Sequence, residues 1–105
     1  MAGRPNSKYT LRIRQAVQGA IYRCTRPSHK NYDDYGGRGI QVLDTWVIFP
    51  SLFMAYLVTL PGHDDPALLL DRINNNGHYE PGNLRFVTHV ESLSNRRPYA
   101  KRRVI

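Results

Sequence analysis

The sequence predicts a small single domain of the α+β class. Its 105 residues suit one domain, because single domains usually contain about 50–250 residues. The N-terminal half has apolar side chains at helical spacing, whereas the last third follows the order strand, turn, strand, helix. We therefore expect N-terminal helices followed by a ββα unit at about residues 68–97. The whole domain is expected over residues 10–97, between a flexible basic arm at residues 1–9 and a basic tail at residues 98–105.

The first helix is predicted over Thr10–Cys24. Apolar side chains recur there every three or four residues, and Thr10 is a suitable N-cap. The opposite face is expected to be a basic stripe, because Arg12, Arg23 and Arg26 fall on it at about 100° per residue. The apolar residues of this helix are Ile13, Ala16, Val17, Ala20, Ile21 and Cys24.

The middle of the chain is predicted to contain a glycine-rich turn, a short strand and a second helix. The glycines of Asn31–Ile40 favour a structural turn over a phosphate-binding loop, since no Gly-Lys-Ser/Thr follows them. Ile40–Leu43 is the strand candidate, and Trp46 and Val47 are expected inside. The second helix is predicted over Pro50–Leu60. Its expected core residues are Leu52, Phe53, Tyr56, Leu57 and Leu60.

The last third of the chain predicts a hairpin followed by a helix. Its strands are expected at Leu68–Ile73 and Leu84–Val87, with a turn at Asn74–Gly77. Thr88 and Glu91 have the T-x-x-E spacing of a capping box, so a helix should begin near residue 89. It should end near residue 97, ahead of the following proline.

Positive charge is concentrated at the two ends of the chain. The formal net charge is +7, with +7 from residues 1–30, −5 from residues 31–80 and +5 from residues 81–105. Two separated basic segments suit a polyanion, because each phosphate that a cation neutralises releases bound counterions. The alternative is that these charges form solvated faces or tails.

Other features exclude several classes of protein. One cysteine, Cys24, cannot form an internal disulfide or a cysteine-rich zinc site. No segment predicts a bilayer crossing or a signal peptide, so a cytoplasmic protein without a membrane partner is expected. Signatures of Ser or Cys nucleophiles, dinucleotide folds and P-loops are absent from the sequence.

Two sequence motifs resemble a known family. LDRINNNG at residues 70–77, followed by YEPGNLRFVT at residues 79–88 and by Glu91, resembles the ββα-metal unit of HNH, or His-Me finger, endonucleases. A second match lies upstream, where the chain is similar to the leader of small phage-type HNH-like proteins. This match consists of YDDYGGRGI at residues 32–40, Trp46 and Phe49.

The resemblance implies a divalent metal site, with Mg²⁺ or Mn²⁺ as the cofactor. Asp71 occupies the position of a metal ligand at the end of the first strand. The helix ligand position falls near Ser92, and Asn95 is a possible substitute one turn later. Asn83 matches the asparagine that braces the loop through backbone hydrogen bonds. The alternative for Asp71 is an ion pair with Arg72 or another base.

The resemblance also implies a general base, and here the chain departs from the family. Arg72 stands in the position of the histidine base, but its pKa above about 12 prevents it from accepting a proton in water. His78, in the turn, could take over this catalytic role if the loop folds over the metal. His89 is a second candidate, and both histidines could instead be surface residues without a catalytic role.

The resulting expectation is a DNA-binding protein of bacterial or phage-infected cells that hydrolyses phosphodiester bonds as a metal-dependent endonuclease or nickase. One alternative is a catalytically degenerate HNH-like protein that binds DNA without cutting it, and another is a small protein-binding adaptor. A double-strand cut would favour a homodimer. The arginines expected to contact DNA are Arg12, Arg23, Arg26, Arg38, Arg85, Arg96, Arg97, Arg102 and Arg103.

Overall fold

The computed structural model describes residues 8–95 and confirms the α+β class. Most of the predicted N-terminal arm and the whole basic tail lie outside these residues. No helix within residues 8–95 combines the length and the apolar character needed to cross a bilayer. The elements in chain order are α1 (Leu11–Thr25), two 3₁₀ turns (Tyr32–Asp34 and Gly36–Arg38), α2 (Asp44–Ile48), α3 (Pro50–Leu57), β1 (Leu69–Arg72), β2 (Leu84–Val87) and α4 (His89–Ser94).

Helix α1 begins where the sequence predicts. The Oγ1 atom of Thr10 accepts a hydrogen bond from the backbone N–H of Ile13 at 3.3 Å, which caps the helix. One face of α1 is buried, and its members are Ile13, Val17, Ala20 and Cys24. Burial raises the pKa of the Cys24 thiol to about 11, so this thiol is protonated at neutral pH and is a poor nucleophile.

The helical segment after α1 differs from the prediction. The short helix α2 was not expected, and α3 ends at Leu57 rather than residue 60. Trp46 of α2 stacks on Phe53 of α3 with ring centroids 4.4 Å apart. The prediction that Leu52 is a core residue is wrong, because its neighbours Phe53 and Met54 are buried while Leu52 stays 46% exposed.

The strand predicted at Ile40–Leu43 is reduced to one isolated parallel bridge between Val42 and Tyr79. The backbone N–H of Leu43 donates to the carbonyl of Tyr79 at 3.0 Å, and the N–H of Tyr79 donates to the carbonyl of Gln41 at 2.9 Å. This segment therefore docks on the loop of the hairpin. The glycine-rich turn packs against α1, since a Cβ at Gly36 would collide with the carbonyl of Cys24.

Strands β1 and β2 pair antiparallel, with Asp71 opposite Arg85 and Arg72 opposite Leu84. Side chains of successive strand residues point to opposite faces of a sheet. Asp71 and Arg85 therefore share one face, whereas Arg72 and Leu84 share the other. Leu84 belongs to the hydrophobic core, so the register directs the Arg72 side chain toward the interior.

The predicted capping box of α4 is present. The Oγ1 atom of Thr88 accepts from the backbone N–H of Glu91 at 3.1 Å, and Oε1 of Glu91 accepts from the backbone N–H of Thr88 at 2.9 Å. These reciprocal bonds satisfy two N–H groups that the helix itself leaves unpaired. Within the described chain α4 ends at Ser94, so its predicted end near Arg97 falls outside the description.

The capping box predicts a pH dependence of stability. Hydrogen bonds from the backbone and hydroxyl of Thr88 lower the pKa of Glu91. A lowered pKa in the folded state stabilises the protein above the unfolded-state pKa of about 4.3, and this contribution is lost as the pH falls through the folded-state pKa. We expect Glu91→Gln to flatten this part of the stability curve, because glutamine keeps the acceptor oxygen but does not titrate.

Urea unfolding at a series of pH values from about 7 down to 3 checks this expectation. Glu80→Gln is the control, since it removes the same charge outside the capping box. A stability curve for Glu91→Gln that parallels the unsubstituted chain throughout this range would contradict it.

Candidate functional site

Arg72 is a buried structural clamp at the end of β1. Only 6% of the surface of Arg72 is exposed to solvent. Its Nη1 atom donates to the backbone carbonyl of Asn75 at 2.6 Å and to that of Gly77 at 2.9 Å. Its Cζ atom lies 5.1 Å from the ring centroid of Tyr35 and 5.3 Å from that of Tyr79. The guanidinium lies against two aromatic rings and holds the turn through its bonds to the two carbonyls. Since it has no acceptor atom, it cannot act as a general base.

Asp71 lies on the other face of β1 and forms an ion pair. Its Oδ2 atom accepts from Nε of Arg85 at 3.1 Å, and its side chain is only 8% exposed. The same oxygen accepts from Nδ2 of Asn95 at 3.1 Å, and Oδ1 accepts from the hydroxyl of Ser92 at 3.4 Å. Of the two predicted roles for this carboxylate, the structure shows the ion pair, with Arg85 rather than Arg72 as partner.

Asn95 presents the wrong atom for a shared metal site. Its Nδ2 atom donates both to Asp71 and to the backbone carbonyl of Arg72, the latter at 2.6 Å. Asn95 therefore meets Asp71 through a hydrogen-bond donor and not through its amide oxygen. A magnesium site needs oxygen ligands at about 2.0–2.1 Å in octahedral geometry. The arrangement therefore does not offer Asp71 and Asn95 as joint ligands.

The surrounding residues do not complete such a site either. Across residues 8–95, no cluster of three or more His, Cys, Asp or Glu side chains could hold a metal ion. The nearest strong charge to Asp71 is the Arg85 guanidinium, which a divalent cation would have to displace. The donor set therefore does not fit the divalent metal that the resemblance implies.

His78 serves the hairpin loop. Its Nδ1 atom accepts a hydrogen bond from the backbone N–H of Gln41 at 3.0 Å, which leaves its proton on Nε2. It is absent from the lining of the cavity that contains Asp71. His89, the other candidate base, is exposed at the start of α4. The His78 side chain therefore links the segment before α2 to the loop of the hairpin.

Asn83 braces the loop between the strands. Its Oδ1 atom accepts from the backbone N–H of Asn74 at 2.8 Å, and its Nδ2 atom donates to the carbonyls of His78 at 2.8 Å and Asn74 at 3.3 Å. A Cβ at Gly77 would approach this nitrogen to 2.8 Å. Through these bonds the Asn83 side chain holds the backbone of the loop at Asn74 and at His78.

Arg23 points inward, contrary to the prediction from its place on helix α1. Arg23 is not on an outer basic stripe: its Nη2 atom lies 3.4 Å from the hydroxyl of Tyr79, and its Cζ lies 5.0 Å from the ring centroid of Tyr35. Its spacing in the sequence indicates this position, since Arg23 follows the buried Ala20 by three residues and directly precedes the buried Cys24. Its helical position therefore borders the buried face.

The remaining arginines take different positions. Arg12 is exposed and donates to the carbonyl of Leu68 at 2.9 Å, while Arg26 is exposed with its Cζ 3.6 Å from the ring centroid of Tyr22. Arg38 is half-buried and donates to the carbonyl of Asn75 at 2.7 Å, so it supports the turn. Four others lie outside the described residues: Arg96, Arg97, Arg102 and Arg103.

Arg23 and Arg72 line a common cavity of about 380 Å³. It lies between α1, the first 3₁₀ turn and β1, and Tyr35 and Tyr79 form part of its wall. Asp71 also borders it, although that carboxylate is paired with Arg85. The cavity therefore has an excess of positive charge.

Comparison of this chain with protein-family models, with curated proteins and with solved structures found no match. The features that bear on function are the charges and contacts of residues 8–95 and the charge of the whole chain. Those features include one neutralised carboxylate and several cations without a carboxylate partner.

Proposed function

We propose that this chain is an HNH-like DNA-binding protein that holds DNA without hydrolysing it. Phosphodiester hydrolysis by this class requires an activated water and a cation beside the scissile phosphate. The observation that carries the proposal is the state of Asp71, whose oxygens accept bonds from Arg85, Asn95 and Ser92. Arg72 at the base position adds a second reason, because it cannot accept a proton.

The charge of the chain supports the DNA-binding part of the proposal. The net charge is +7, and arginine forks match phosphate oxygens in two-point contacts. Within the described residues, Arg12 and Arg26 are exposed and have no carboxylate within 4.0 Å. Arg85 pairs with Asp71 and still leaves its side chain 42% exposed. These groups are accessible to a phosphate backbone.

A plasmid assay tests the proposal. We expect supercoiled DNA incubated with Mg²⁺ or Mn²⁺ to remain intact while its gel mobility decreases with added protein. Asp71→Ala is the control, because it removes the carboxylate that a metal-dependent reaction would need. Nicked or linear product that is formed by the unsubstituted chain and lost in Asp71→Ala would overturn the proposal in favour of a metal-dependent endonuclease or nickase. Linear product would in that case also favour a homodimer, because a double-strand cut needs two active sites.

A protein-binding adaptor is the second candidate, and one observation favours it. Ile48 and Phe49 are 67% and 57% exposed at the junction of α2 and α3, beside the exposed Leu52. Neighbouring exposed apolar side chains are typical of protein interfaces. The two candidates differ in how their binding depends on salt.

A further inference from the structure

The cavity between α1 and β1 contains two cations without anionic partners. Neither Arg23 nor Arg72 has a carboxylate within 4.0 Å among residues 8–95. The Nε atom of Arg23 is buried and has no hydrogen-bond partner in that part of the chain. A charge withdrawn from water is costly unless an opposite charge and hydrogen bonds compensate it. The cavity is therefore electrostatically complementary to an anion.

Neutral groups in the same cavity add hydrogen-bonding capacity. The hydroxyl oxygen of Tyr79 accepts from Arg23, so its own hydrogen is available for a ligand. Burial raises the pKa of Tyr79, which keeps this hydrogen in place at neutral pH. Asn31 also lines the cavity. The one carboxylate there, Asp71, is paired with Arg85 and does not neutralise Arg23 or Arg72.

We infer that this cavity binds the terminal phosphate of a nucleic-acid strand, an inference that rests on the proposed DNA-binding function. A phosphate monoester has a charge of about −1.5 to −2 near pH 7 and three acceptor oxygens, which suits two guanidinium groups. Arg72 and Tyr79 are nearly fully buried, so a ligand must project inward to reach them. An internal phosphodiester is bonded to a nucleoside on each side, so it projects into a cavity less than the phosphate at the end of a strand.

Fluorescence anisotropy with one internally labelled single-stranded oligonucleotide tests this inference. The oligonucleotide is prepared with a 5′-phosphate, with a 3′-phosphate and with hydroxyls at both ends. We expect one phosphorylated form to bind about tenfold more tightly than the hydroxyl form, as a charge-assisted contact would provide. Inorganic phosphate, added at constant ionic strength, should abolish that preference.

Two variants separate the cavity from general charge. Arg23→Gln should reduce the preference to less than about twofold, because it removes one guanidinium from the cavity. Arg26→Gln removes the same charge three residues later, outside the cavity, and should weaken binding to all three forms alike. Circular dichroism shows whether each variant is folded. If Arg23→Gln does not fold, the competition by inorganic phosphate on the unsubstituted chain decides.

Equal affinity for the three oligonucleotides overturns the inference and leaves the proposed DNA-binding function intact. Failure to bind any of them, or any duplex, overturns the proposed function itself. A preference that persists in Arg23→Gln, or that inorganic phosphate does not reduce, also overturns the assignment of the terminal phosphate to this cavity.

Discussion

Replacing Arg72 with alanine is expected to lower the free energy of unfolding by about 3 kcal/mol. The substitution leaves the carbonyl of Gly77 without its donor, and an acceptor left unpaired costs about 1–3 kcal/mol, whereas the carbonyl of Asn75 keeps its bond from Arg38. It also removes contacts with the rings of Tyr35 and Tyr79, worth about 0.5–2 kcal/mol each. Release of a buried charge offsets part of these losses. Urea denaturation measures the change.

Two further variants make this result specific. Arg72→Lys keeps the charge but lacks the planar fork, so we expect it to recover about half of the loss. Lys30→Ala removes an exposed cation and should change stability by less than about 0.5 kcal/mol. If Arg72→Ala costs no more than Lys30→Ala, the guanidinium does not clamp the turn.

DNA affinity is expected to fall about 500-fold between about 50 and 200 mM salt, if about five phosphates are neutralised. The estimate uses a third of the 15 basic residues of the chain. The logarithm of the affinity falls linearly with the logarithm of the salt concentration, with a slope of about −0.9 for each phosphate neutralised. Anisotropy titrations of a labelled duplex at several salt concentrations measure this slope.

The double variant Arg12→Gln with Arg26→Gln should reduce the magnitude of the slope by about two, one for each phosphate contact removed. Gln15→Ala, an exposed neutral change on the same helix, should leave it unchanged. A slope near zero would refute the phosphate role and favour the adaptor, because burial of the apolar residues near Phe49 responds little to salt.

Local patterns in the sequence predicted the elements well where one short-range interaction defines them. Thr10 caps α1, the bounds of β2 are those predicted, and Thr88 with Glu91 forms the capping box. The predictions were poorer at Ile40–Leu43 and at Leu52. Those positions depend on what the segment packs against, and helical or alternating spacing alone does not contain that information.

Among the candidate site residues, the sequence identified Asp71 and Arg72 but could not assign their contacts. The carboxylate pairs with Arg85, fourteen positions later, because the antiparallel register places those two residues opposite each other. Asn95, which directly follows α4, donates to the same oxygen. Which of several nearby bases meets Asp71 depends on register, and the spacing of residues along the chain does not specify it.

The sequence alone establishes the excess of basic charge and the presence of Arg72 next to Asp71, and it predicts the α+β order of elements. The tertiary fold pairs Asp71 with Arg85 and turns Arg23 inward, toward the cavity that Arg72 also lines. Net charge depends on composition alone, and helical spacing depends only on residues a few positions apart. The formation of an ion pair or of a cationic cavity depends on packing between α1, the hairpin and α4, which brings together residues distant in sequence.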